Sequence, residues 1–383
     1  MRLIITYPQS LSNSFGGGTI GLCEIARTIG ALGYPIVLIP VGHEVNPVPD
    51  LGPNISIVQA SPTKDRYWSS AWCVWRVLKK AAYSTDDDWA CISWGIEGCL
   101  LARWVHAHGG VFCVMAAKPS YAEWRSSRVK GWKFRNGPLD FRIFARMVRR
   151  ADLVFALSKF TRLELVRIFK VDPKRICTAY WGVNQEFLRA EDHSLEPICP
   201  VVLFFGSLAP PKGIFDAIEA LGLAHACGTD FEFRIAGWGD TRAIEKAVDT
   251  AGIGSRTEIL GRLEHPELIS QLSEASIALL PSRVESFGLA VVEAMASGTP
   301  VISYDAGSIP ETLGRARGGW MVPLGRIDLL AQAVVEALSD LRSTKAFGER
   351  GRRFVADTLS WDRTARVIMD ALTHAARIAG NSQ

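Results

Sequence analysis

The chain has 383 residues, 48% of them hydrophobic and 21% charged, with a formal net charge of +4. That length exceeds one ordinary core and suits two domains of about 150–200 residues each, and the apolar content excludes a disordered chain. The net charge is too small to argue by itself for nucleic acid. The eight cysteines (Cys23, Cys73, Cys91, Cys99, Cys113, Cys177, Cys199 and Cys227) form no C-x-x-C pair and stand at no zinc-ligand spacing from a histidine. Several lie inside apolar runs, as buried thiols do. Met1–Ile5 leads straight into a strand-like run without a secretory h-region, and no apolar run reaches the roughly 18–20 residues of a membrane span. The expectation is a reduced, cytoplasmic protein.

In chain order, Arg2–Tyr7 reads as a strand, followed by the loop Gly16-Gly17-Gly18. Thr19–Leu32 reads as a helix, because Ile20, Cys23, Ile25, Ala26, Ile29 and Leu32 keep helical spacing. Gly33 ends it, and Pro35–Pro40 is the next strand. Further strands are expected at Ala90–Trp94, Val111–Ala116, Leu153–Leu157 and Arg175–Ala179. The polar, proline-bearing run Arg189–Pro200 reads as a linker between domains 1–188 and 200–359. A second series follows: strand Val201–Phe205, helix Phe215–Ala226, strand Phe231–Ala236, and strands Glu258–Leu260 and Ile277–Leu280. Helix Gly288–Ser297 and strand Pro300–Ser303 complete it. Continuous apolar strands alternating with helices imply an α/β chain of two doubly wound, Rossmann-like domains. Such domains place a ligand cleft at the carboxyl ends of their strands. A last helix is expected around residues 360–380.

The most informative stretch is Pro281–Tyr304, PSRVESFGLAVVEAMASGTPVISY. Ser286, Phe287 and Gly288 fall where a helix begins. A helix N-terminus offers free N–H groups and a positive dipole end, which suits a diphosphate or a sugar hydroxyl. Glu285 and Glu293 are eight residues apart, about 2.2 helical turns, so both can face one cleft. Leu289 lies between them.

E-S-F-G-L-A-V-V-E-A-M-A-S-G-T-P-V-I resembles the E-x(7)-E signature of the retaining GT-B glycosyltransferases, especially family 4. The resemblance implies two Rossmann-like domains facing across a cleft, the C-terminal one binding a nucleotide-sugar donor. It implies that Glu285 contacts the donor sugar and Glu293 the ribose hydroxyls. Gly206–Gly213 (GSLAPPKG) is similar to the family's G-R-L-x-x-x-K-G loop, so Lys212 would neutralise the donor pyrophosphate. Ser207 stands where the family carries Arg, and Arg283 is a candidate substitute. Gly237 in Ile235–Asp240 resembles the family's G-x-G turn, and Gly261-Arg262-Leu263 the loop that frames the nucleobase. Gly16, Gly17 and Gly18 lie where the family has its acceptor or phosphate loop. Ala151–Ser158 and Trp181–Asn184 also match family segments, and the last helix is expected to pack back on the N-terminal domain. The family's histidine after Val111–Met115 is missing here. A front-face retaining reaction needs no protein nucleophile, because the donor phosphate takes the acceptor proton. No metal or other cofactor is expected, and Asp86-Asp87-Asp88 reads as a solvated turn.

Lys118–Arg150 holds ten basic residues against two acidic ones, interleaved with Trp124, Trp132, Phe134, Phe141 and Phe144. Basic plus aromatic composition suits an anionic membrane surface or a lipid pyrophosphate acceptor. It also suits single-stranded nucleic acid, against which the C-terminal motif argues. The expected function is sugar transfer from a nucleoside diphosphate to a sugar or lipid-linked acceptor hydroxyl, in surface polysaccharide or glycolipid synthesis. The alternatives are a GT-B-fold sugar-nucleotide-binding protein without activity, and a GT-B phosphorylase or epimerase.

Overall fold

In the computed structural model, residues 1–9, 11, 16–42, 50–61, 67–80, 88–117, 137–189 and 199–380 are described. The basic run 118–136, Asp86-Asp87 and 190–198 of the linker lie outside them. The chain divides into two compact units: one reaches Gly182 and resumes at Trp361, and the other is Val183–Ser360.

The first unit begins with β1 (Arg2–Tyr7), α1 (Gly17–Ala31), β2 (Ile36–Pro40), β3 (Ile55–Ile57) and α2 (Tyr67–Lys80). β4 (Trp89–Ser93), a 3₁₀ turn at Ile96–Leu100, α3 (Leu101–Ala107) and β5 (Val111–Ala116) follow. Then come α4 (Gly137–Arg150), β6 (Leu153–Ala156), α5 (Lys159–Arg167) and β7 (Ile176–Thr178). The strands form a parallel sheet in the order β3-β2-β1-β4-β5-β6-β7. β4 and β5 are buried at every position, as strands covered on both faces must be. Ile4, Cys91, Phe112, Val114 and Val154 share one apolar cluster with α2, α3 and α4. The alternate strand residues therefore face the other side, where α1 packs.

The second unit contains α6 (Gln185–Leu188), β8 (Val201–Ser207), α7 (Ile214–Ala226), β9 (Glu232–Trp238), α8 (Thr241–Thr250) and β10 (Thr257–Gly261). It continues through α9 (His265–Glu274), β11 (Ile277–Leu279), α10 (Leu289–Ala296), β12 (Val301–Asp305), β13 (Gly319–Pro323), α11 (Ile327–Ser339) and α12 (Leu341–Thr358). Its parallel sheet has the order β10-β9-β8-β11-β12-β13. The winding direction reverses on either side of β8, and in the first unit on either side of β1. Each sheet thus has a switch point with a crevice at its carboxyl ends. The doubly wound α/β class expected from the sequence is the one observed. β3 and β13 escaped that reading because one is only three residues long and not buried, while the other mixes exposed and buried positions at a sheet edge.

The last helix, α13 (Trp361–Gly380), belongs to the first unit. It buries Ala365, Ile368, Met369 and Leu372, an i, i+3, i+4, i+7 stripe, and packs on α1. Thr364 donates a 2.7 Å hydrogen bond to the Tyr180 carbonyl, and the Trp361 and Trp181 rings lie 6.1 Å apart. The other side of Trp181 meets Gly21 in α1, where an added Cβ would sit 2.6 Å from the indole. The junction is close-packed, so added volume must displace a ring held between two helices. Gly21→Val is therefore expected to lower the unfolding free energy by about 1–3 kcal/mol. Urea titration followed by tryptophan fluorescence checks this, and an unchanged midpoint would refute the packing argument.

Candidate active site

The site is built at the carboxyl rim of the second sheet, from the loops after β8, β11 and β12. The loop after β8 makes a short 3₁₀ turn at Pro210–Lys212 and then enters α7 through Gly213, whose φ is +77°. An added Cβ there would lie 1.9 Å from the Pro281 carbonyl oxygen, so only glycine lets the β8 and β11 loops meet. Gly307 does the same for the β12 loop: φ is +59°, and a Cβ would lie 2.1 Å from the Glu285 carbonyl oxygen. The Ser308 amide donates to that oxygen at 3.2 Å.

This convergence joins two expected site residues that are 73 positions apart. Lys212 Nζ lies 2.5 Å from Glu285 Oε1, with the lysine side chain 40% exposed and the glutamate 12%. Gly288 is the N-cap of α10, with the buried side chains of Ser286 and Phe287 just before it and Leu289 in its first turn. The first-turn amides have no carbonyl of their own helix to bond, so the helix presents donors beside the ion pair.

Glu293 lies further along α10 and is only 8% exposed. Burial alone raises its carboxyl pKa from the ordinary 4.5 to about 8. That carboxyl is set up to be neutral near pH 7.

Arg283 is committed elsewhere. Its guanidinium bonds Asp216 at 2.7 Å, and the buried Tyr304 hydroxyl donates to the other oxygen of Asp216 at 2.9 Å. The Arg283 amide donates to the Pro211 carbonyl at 2.8 Å. Arg283 is thus a brace between the two loops, its charge balanced by Asp216, and the cation missing at Ser207 is not restored by a free guanidinium at 283. Ser207 closes β8 opposite Trp238, one register step beyond the Gly206–Gly237 pair. Asp216 and Tyr304 were missed in the sequence. Their partners are 67 and 88 residues apart, and no local pattern marks such a triad.

Arg262 and Leu263 follow β10 at the same rim, two strands from β8. At about 4.8 Å per strand their backbone stands roughly 10 Å to the side of β8.

Gly16, Gly17 and Gly18 are in the first unit, where Gly16 caps α1 and its carbonyl accepts from Thr19 and Ile20. The Tyr7 and Thr19 hydroxyls lie 2.8 Å apart beside this turn. The neighbouring β4 rim holds a polar group that the sequence did not reveal. The buried Glu97 Oε1 lies 3.0–3.1 Å from Thr6 Oγ1, Ser93 Oγ and the Gly95 amide. The adjacent Trp94 indole N–H is buried without an acceptor among the described residues. Also among them, no group of three or more His, Cys, Asp or Glu side chains is placed to hold a metal, and no helix is long and apolar enough to cross a membrane.

Three substitutions test this geometry. The Glu293 carboxyl is protonated in both folded and unfolded chains below about pH 4.5, so it costs nothing there. As pH rises from about 4.5 to about 8 the unfolded chain ionises it and the folded one does not, so stability is lost across that window. Melting curves of Glu293→Gln should therefore gain on wild type from pH 5 to pH 8, and parallel curves would contradict a desolvated carboxyl. Asp216→Asn should cost about 1–3 kcal/mol of stability, through loss of a charged hydrogen bond. Tyr304→Phe should cost less. Equal effects, measured by denaturant titration, would remove Arg283 from the brace.

Comparison with known proteins supports the same reading. Residues 15–187 match the glycosyltransferase family 4 model, and residues 191–354 the glycosyl transferases group 1 model. A 2-deoxystreptamine glucosyltransferase from Streptomyces kanamyceticus is 32% identical over 185 residues, covering 48% of this chain and 47% of the relative. The matches to curated relatives thus span about half of their length. Sucrose-phosphate synthase from Thermosynechococcus elongatus superimposes with a TM-score of 0.82 at 20% identity, covering 99% of this chain and 100% of that one. Anabaena Alr3699/HepE in complex with UDP-glucose superimposes at 0.75 with 16% identity, covering 98% and 100%. With matches across both halves of the chain and the same fold in these structures, the protein belongs to the GT-B glycosyltransferases of the group 1 and family 4 type.

Proposed function

We propose that the protein transfers a sugar from a nucleoside diphosphate to an acceptor hydroxyl with retention at the anomeric carbon. The observation that carries this reading is the meeting of Lys212 and Glu285 at the start of α10, with Glu293 buried further along the same helix. Lys212 and Glu285 neutralise each other in their ion pair. A donor pyrophosphate competes for the ammonium group, freeing the Glu285 carboxylate to accept hydrogen bonds from sugar hydroxyls. Glu293, held neutral by its burial, receives the ribose hydroxyls. Arg262 and Leu263 frame the base.

As the acceptor oxygen bonds to the anomeric carbon, the bond from that carbon to the phosphate oxygen breaks. The acceptor proton passes to the departing phosphate on the same face. Charge develops on the leaving diphosphate, where Lys212 and the α10 amides stabilise it. The acceptor is assigned to the first unit, beside Gly16–Gly18 and the Thr6–Ser93–Glu97 group, where the buried Trp94 N–H has no acceptor among the described residues. The setting proposed is cytoplasmic assembly of a surface polysaccharide or glycolipid.

One feature favours a second reading, a sugar-nucleotide-binding protein without transfer: Ser207 leaves Lys212 as the only cation of the expected pair, because Arg283 is bound to Asp216. Thermal melting against UDP-, GDP- and dTDP-sugars separates the two. Ligand at about 100 times its dissociation constant should add roughly 2.7 kcal/mol to wild type. Glu293→Ala should lose the shift. Lys212→Ala should lower turnover on the order of 10²–10³-fold. A donor-specific shift without donor hydrolysis or transfer would select the binding protein, and no shift with any donor would overturn the donor-site assignment.

A further inference from the structure

α2 and α4 both pack against the Ile96–Leu100 turn and share its apolar cluster, so they flank that turn on one side of the first unit's sheet. Their inner stripes, Val74 and Leu78 on α2 and Phe144, Met147 and Val148 on α4, are buried. Their outer stripes are basic. On α2, Trp72, Arg76 and Lys79 recur at i, i+4 and i+7, with Arg76 4.6 Å over the Trp72 ring and Lys79 4.2 Å over Trp75. On α4, Leu139, Arg142, Arg146 and Arg149 are exposed at i, i+3, i+7 and i+10. Tyr67–Lys80 carries three basic residues and no acidic one, and Gly137–Arg150 carries four against Asp140.

Three large apolar side chains on these elements are exposed: Trp72 on α2 is 49% exposed, Leu139 on α4 46%, and Leu100, at the end of the turn that both helices contact, 40%. Two neighbouring carboxylates are engaged elsewhere. Glu97 is buried toward Thr6 and Ser93, and Asp152 bonds His106 at 2.8 Å.

We propose that this face docks on an anionic lipid bilayer. Arginine and lysine side chains meet lipid phosphate while their stems and the indole settle at the interface, and Leu100 and Leu139 enter the acyl boundary. Single-stranded nucleic acid fits less well. It needs open aromatic faces for base stacking, whereas the indoles of Trp72 and Trp75 each have a cation over the ring. Two exposed leucines contribute nothing to a phosphate backbone. Docking through this face requires no sugar transfer, so it stands or falls independently of the catalytic reading.

The test is co-sedimentation of the full chain with vesicles of phosphatidylcholine alone and with added phosphatidylglycerol, at low and high salt. Wild type should bind the anionic vesicles at least about tenfold more tightly, and lose most of that preference in high salt. The triple variant R76E/R142E/R146E should bind them at least about tenfold more weakly while keeping its melting temperature and its donor-induced shift. Trp72→Ala, which leaves the charges intact, should weaken the binding that survives in high salt. Equal binding to both vesicle types would overturn the proposal, as would a triple variant that binds like wild type. So would a single-stranded oligonucleotide that displaces the vesicles and loses its own binding in the triple variant.

Discussion

The contact on which the candidate site depends is between backbones, not side chains. The loops after β8, β11 and β12 approach so closely that a Cβ at Gly213 or Gly307 would fall inside a neighbouring carbonyl oxygen. Two polypeptide segments at that distance have their side chains directed by the geometry of the approach. Lys212, one residue before the first contact, and Glu285, whose own carbonyl makes the second, are left with little choice but to meet. A charged pair that formed only through two flexible side chains on separate loops would lose rotamer entropy to do so. Here the loops are already joined, so much of that ordering has taken place before a ligand arrives.

The brace beneath the ion pair uses the same economy. Asp216 at the start of α7 accepts from both Arg283 and Tyr304, tying a helix, a loop and a strand through one carboxylate. Its burial is tolerable because each oxygen has a strong donor. Glu293 is the opposite case: its surroundings raise its pKa by desolvation alone. A buried carboxyl of that kind costs stability as pH rises, because the unfolded chain can ionise it in water and the folded one cannot. Glu97 in the first unit shows a third arrangement. Its Oε1 is surrounded by two hydroxyls and an amide at the carboxyl rim of β1 and β4, where it holds the turn that presents Trp94.

The tryptophans divide along similar lines. Trp181 and Trp361 close the seam where α13 meets α1, and Trp89 meets Trp104 edge to face near the end of α3. Trp72 instead stands in solvent with a guanidinium over its ring. In the core the indole supplies area and shape; at the surface it supplies an amphipathic plane beside positive charge. The same residue type therefore serves cohesion in one place and contact with an outside phase in the other.

Local pattern determined much of this protein. Continuous apolar strands, a helical stripe such as Ile25–Ala26–Ile29 and the spacing of Glu285 and Glu293 are short-range properties, so the α/β class and the α10 motif were legible in the residues themselves. Only the tertiary structure decided that Lys212 touches Glu285, that Arg283 is spent on Asp216 and Tyr304, and that Glu293 is desolvated. Each depends on groups dozens of residues apart, brought together by sheet order. The outer faces of α2 and α4 belong to the same class. Either helix read alone is an amphipathic segment with some basic residues, and their union into one surface exists because both pack on the turn at Ile96–Leu100. Sequence periodicity says which side of a helix is apolar; which helices become neighbours is settled by the sheet beneath them.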